Sequence, residues 1–162
     1  RQRDRERQRT LKPAENPVIP RFQKLLVPVD FAKKNWNALD IAFEIAVSNR
    51  ASVTLLHVIE AIDDGDLDED PDVREFYRRM EDRSARELET MGQRFIEAGL
   101  EVHEKIRFGK RAPEIVRYAD EHSCDLIVMS SHPLDRQREA SNIVTLSYQV
   151  SLVCSCPILL AK

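Results

Sequence analysis

The chain has no apolar run approaching the roughly 18 residues that cross a membrane as a helix. Its opening residues, Arg1, Gln2, Arg3 and Asp4, also lack the apolar stretch of a signal peptide, so neither a span nor a leader is expected. Cysteine is scarce. Cys124, Cys154 and Cys156 form an odd, sparse set, which argues against a disulfide framework and for a reducing, cytoplasmic compartment. A large excess of one charge is missing too. The formal net charge is -3, so no global attraction to nucleic acid is expected. The first residue is Arg rather than Met, which suits a piece of a longer protein.

What is present suits one globular domain. The 162 residues are 42% apolar and 33% charged, enough to enclose a core and ordinary for a soluble fold. Residues 1–21 read as a separate arm or linker. Arg1, Arg3, Arg5, Arg7, Arg9 and Lys12 precede Pro13, Pro17 and Pro20, a polar and then extended pattern. A tail is the plain reading. The sharper one is a juxtamembrane segment after a transporter's membrane helix, where basic residues are favoured. Residues 22–162 are the expected folded domain.

Strand and helix patterns alternate through that domain. Lys24 to Asp30 reads as a strand with Pro28 near its end, since proline cannot donate to a ladder. Asn35 reads as the cap of a helix with Trp36, Leu39, Phe43 and Ala46 on its apolar stripe. Ser52 to Ile59 is rich in β-branched residues and reads as a second strand. His57 within it reads as a core or crevice histidine, because no His or Cys stands at ligand spacing. The segment from Glu60 to Asp72 is acidic. An EF-hand loop would need Gly where Glu69 stands, so a solvated loop is preferred over a calcium site. Asp70 and Pro71 open a long helix with Val73, Phe76, Met80, Leu88, Met91 and Phe95 as its stripe, ended by Gly99. Glu101 to Arg107 alternates as an edge strand. Pro113 opens a helix with Ile115, Val116 and Ala119 facing inward, and His122 near its end is read as structural.

The stretch Asp125-Leu126-Ile127-Val128-Met129-Ser130-Ser131-His132 is an apolar run followed by hydroxyls. Such a run suits a strand covered on both faces, and the loop leaving its carboxyl end is where an open α/β sheet places a ligand. Ser141 or Asn142 is expected to cap the last helix, and Pro157-Ile158-Leu159-Leu160 to form a fifth strand. The alternation makes a parallel α/β sheet with right-handed crossovers and helices on both faces. No nucleophile stands with a paired base. Ser131 and His132 are neighbours, but adjacency is not triad geometry. Cys154-x-Cys156 alone is a weak metal signal. No enzyme activity and no metal site are therefore expected.

From residue 24 to 161 the chain resembles the universal stress protein family. The resemblance is carried by Lys24-Leu25-Leu26-Val27-Pro28-Val29-Asp30, Leu55-Leu56-His57-Val58, Cys124 through His132, and Cys156-Pro157-Ile158-Leu159-Leu160. It implies a Rossmann-like, adenine nucleotide alpha hydrolase-like sheet of five parallel strands in the order 3-2-1-4-5. It implies a homodimer paired through the last strands, at Pro157, Ile158, Leu159 and Leu160. It also implies a nucleotide site drawn from Pro28, Val29, Asp30, Val58, Met129, Ser130, Ser131, His132 and Thr145, with Asp30 at the ribose and the Val58 backbone at adenine.

The family's phosphate motif, Gly-x2-Gly-x9-Gly-Ser/Thr, is degenerate here. Its glycines let backbone N–H groups approach phosphate. Allowing one inserted residue, those positions hold Ser130, Pro133 and Val144, and only the hydroxyl survives, as Thr145. Arg136 and Arg138 could replace backbone donors with charge, though solvated loop charges are the plainer reading. The expected function is thus a dimeric, non-catalytic regulatory module with weak or lost ATP binding. The alternative is a nucleotide-sensing domain of a membrane transporter, for AMP, ATP or a cyclic dinucleotide. A weak ATPase or phosphotransfer protein is the third reading.

Overall fold

A computed structural model of the protein describes residues 21–60, 70–131 and 145–162. Among them are strands β1 (Lys24–Pro28), β2 (Ser52–Ile59), β3 (Val102–Phe108), β4 (Leu126–Ser130) and β5 (Ile158–Ala161). Four helices alternate with them: α1 (Asn35–Asn49), α2 (Pro71–Glu97), α3 (Arg111–Glu121) and α4 (Leu146–Val153). The strands are parallel and ordered β3-β2-β1-β4-β5, as the family resemblance implies.

Period-two alternation explains why both faces are apolar. Leu25, Val27, Leu126 and Val128 face a core shared with Leu39 of α1 and Leu88, Met91 and Phe95 of α2. Their neighbours Leu26, Ile127 and Met129 face a second core with Ile115 and Tyr118 of α3 and Val150 of α4. The three cysteines are free and half-buried, and they pack against that second core. Burial pushes the Cys124 and Cys156 thiols up to about 11, the behaviour of inert structural cysteines.

Several local expectations are met. Pro28 is the last residue of β1. The Asp70 side chain accepts from the Asp72 N–H with Pro71 opening α2, and Gly99 follows that helix with φ +79. Others need correction. Asn35 is not a cap: Lys34 holds that position and its side chain makes no capping bond, and Asn35 is the first helical residue, buried. Trp36 is 45% exposed, and the buried stripe of α1 is Ala38, Leu39, Ala42 and Ala46. Small residues there let α1 lie close against the sheet. Phe76 is likewise exposed, and Tyr77 takes the buried place. Helix α3 begins at Arg111, before Pro113, and α4 is capped by Thr145, whose hydroxyl accepts from the Tyr148 N–H. Residues 141 and 142 lie outside the described residues, as does the acidic stretch 61–69. Pro157 precedes β5 and lends its carbonyl to the Ile127 N–H at 3.0 Å.

Candidate functional site

Helices α1 and α4 leave the adjacent strands β1 and β4 toward opposite faces of the sheet. Between them, at the carboxyl ends of the strands, the sheet opens into a crevice of about 710 Å³. This is the topological switch point where open α/β sheets take ligands, and the volume suits a small molecule. Its floor is apolar, built from Pro28, Leu56, Val58, Met129 and Ile115. Its rim is polar, with Asp30, Lys34 and Asn35 on one side, His57, Glu60 and Arg111 on another, and Ser130, Thr145 and Ser147 on the third.

Asp30 is the most elaborately held of these groups. Its Oδ1 accepts from the Asn35 amide and from the Ala32 N–H at 3.1 Å. Its Oδ2 pairs with the Lys34 ammonium at 3.0 Å. Burial alone would raise its pKa, but the Asn35 amide, the Lys34 ammonium and the Ala32 N–H together hold it below the usual carboxylate value. Asn35 accepts in turn from the Ser130 hydroxyl at 2.7 Å. A hydrogen-bonded chain thus ties the end of β4 to the end of β1.

His57 forms the next wall. Its Nδ1 lies 2.8 Å from the Val29 carbonyl. A carbonyl only accepts, so Nδ1 carries the hydrogen. Burial pushes the imidazole below its ordinary pKa despite that bond. The Phe31 ring lies against it with centroids 4.3 Å apart. Phe31 holds φ +62, a left-handed conformation that costs a bulky side chain free energy and often marks functional turns. On the same side Arg111 donates to Glu60 at 3.0 Å, and this pairing holds Glu60 below its usual pKa.

The structure therefore brings Pro28, Val29, Asp30, Val58, Met129, Ser130 and Thr145 to one crevice. Ser131 is not on its lining: its N–H bonds the Ala161 carbonyl at 2.7 Å and extends the β4–β5 ladder. His132, Pro133, Arg136, Arg138 and Val144 lie outside the described residues. Sequence reasoning missed Lys34, Asn35, Glu60 and Arg111 as crevice residues. Lys34 had a visible signal, because it stands four residues after Asp30 at a helix start. Arg111 had only its topological position, at the helix start that follows β3.

The profile of the Universal stress protein family matches residues 21–162. The chain belongs to the universal stress protein family. It is 25% identical over 154 residues to the universal stress protein YxiE of Bacillus subtilis (strain 168), covering 87% of this chain and 99% of that one. A universal stress protein solved in complex with cAMP superposes with a TM-score of 0.65 at 19% identity, covering 88% of this chain and 98% of that one. A universal stress protein from Archaeoglobus fulgidus in complex with dAMP gives a TM-score of 0.60 at 18% identity, with 88% and 99% covered. At such identities these two likenesses are of fold. No described helix is long and apolar enough to cross a membrane.

Proposed function

We propose that this universal stress protein is a dimeric, non-catalytic regulatory module that reads an adenine nucleotide in the crevice between β1 and β4. One observation carries the reading: Pro28, Asp30, Val58 and Met129 converge on a single crevice with an apolar floor and a polar rim. Relatives of the same fold take cAMP and dAMP. Asp30 is held ionised by its neighbours, ready to accept from ribose hydroxyls. Pro133 at a glycine position removes one backbone donor, and Ser130 and Val144 put side chains where the family's glycines let the backbone approach phosphate. ATP is therefore held no more tightly than AMP.

The dimeric part rests on β5. Among the described residues it pairs with β4 on one side only, and Leu160 on it and Leu152 and Val153 of α4 are exposed. The alternative reading is that of a transporter's cytoplasmic regulatory domain, and the basic residues of the arm favour it.

Calorimetry against adenosine, AMP and ATP tests the reading, with Asp30→Ala alongside. Binding to the wild type that falls at least about tenfold in the variant supports it. Folded protein that binds none of the three removes it. Phosphate release from ATP and magnesium would remove the non-catalytic part alone.

A further inference from the structure

The lining of the crevice carries two cations among the described residues, Lys34 and Arg111, and an acid of the same chain stands against each. The two pairs differ in how firmly they are built. Lys34 and Asp30 are four residues apart, and Asp30 is also bonded by Asn35 and Ala32. That unit is part of the β1–α1 turn. Arg111 and Glu60 instead join the start of α3 to the end of β2, and their side chains are 44% and 53% exposed. An ion pair so open to water contributes little and exchanges readily. A phosphate offers the planar guanidinium several charged oxygens in bidentate geometry, more than the single Glu60 carboxylate supplies.

We propose that Arg111 is the phosphate-binding residue of this crevice, that Glu60 is the internal anion it releases when ligand arrives, and that the ligand class is a nucleoside monophosphate. The inference rests on the nucleotide reading above and adds the residue that selects the phosphate. One exchangeable guanidinium suits one phosphate. A longer polyphosphate would need the backbone donors whose glycines are replaced at Ser130, Pro133 and Val144. Glu60 sets the threshold: it competes with ligand for the same cation, so it weakens binding of anything whose contact is the phosphate and leaves an uncharged nucleoside untouched.

Calorimetry at low salt with AMP and adenosine tests this on the wild type, Arg111→Met and Glu60→Gln. Thermal melts establish that each variant is folded. In Arg111→Met the AMP affinity falls about tenfold or more while adenosine is unchanged. In Glu60→Gln the AMP affinity rises several-fold and adenosine again is unchanged. An AMP-to-adenosine affinity ratio that is the same in Arg111→Met as in wild type overturns the assignment of Arg111 and leaves the crevice reading standing. An AMP affinity unmoved by Glu60→Gln overturns the competitor role. Wild-type protein that binds neither ligand overturns the crevice reading and this inference together.

Discussion

The buried Asn35 amide joins Asp30 to Ser130: it donates to the Asp30 carboxylate and accepts from the Ser130 hydroxyl at 2.7 Å. The two ends of the candidate site are thereby one unit. Asn35 is 2% exposed, so its loss cannot be repaired by bulk water. Asn35→Ala should cost about 1–3 kcal/mol, the range for leaving buried polar groups unpaired. Ser130→Ala removes only the outer bond and should cost about 1 kcal/mol. Urea denaturation reads both. Equal and negligible losses would mean that the chain of bonds does not hold the turn.

Phe31 gives a prediction with an unusual sign. At φ +62 a residue with a Cβ is disfavoured by roughly 1–2 kcal/mol, and the ring contact with His57 at 4.3 Å offsets part of that. Phe31→Ala loses the ring and keeps the strain. Phe31→Gly loses the ring and the strain together. The glycine variant should therefore be the more stable of the two by about 1 kcal/mol, the reverse of the usual order in regular structure. Thermal or urea midpoints decide it, and an alanine variant more stable than the glycine one would show that the turn is not strained.

His57 makes stability depend on pH. Its pKa is pushed down by burial from an ordinary 6.5, so the unfolded chain takes a proton more readily than the folded one. Its contribution is fully present above 6.5 and is lost as pH falls toward the lower folded value. His57→Asn keeps a donor and cannot titrate. The stability difference between wild type and His57→Asn, followed from pH 8 down to about pH 5, should shift against the wild type on the acid side. A difference that stays level across that range would refute the depressed pKa.

Most of the fold was legible because its signals are local and periodic. Pro28 marks the end of β1, Asp70 and Pro71 mark the start of α2, and the run from Leu126 to Met129 reads as a strand covered on both faces. The site was half legible. Motif positions pointed to Pro28, Asp30, Val58 and Met129, and the crevice contains them. Asn35 and Arg111 were not legible, since their roles depend on partners far along the chain: Ser130 for Asn35 and Glu60 for Arg111. Trp36 failed for a related reason. Helical spacing allows two neighbouring stripes on α1, and the sheet selects the one with small residues, leaving Trp36 exposed.

The edge strand supplies the last prediction. Among the described residues β5 has one unpaired side, and an open edge recruits another strand unless something blunts it. Here nothing charged does so within Ile158–Ala161, whose sequence is ILLA. Leu160 is 41% exposed, and Tyr148, Leu152 and Val153 of α4 are 53%, 64% and 64% exposed. A two-fold pairing of β5 with its copy would cover Leu160 and satisfy the edge. Leu160→Lys places a charge in the seam. Because Leu160 is exposed within one chain, its replacement should leave the thermal stability of a monomer almost unchanged. Light scattering at tens of micromolar should then report a dimer for the wild type and a monomer for Leu160→Lys. A wild type that is already monomeric, or a lysine variant that still dimerises, would place the self-association surface elsewhere or remove it.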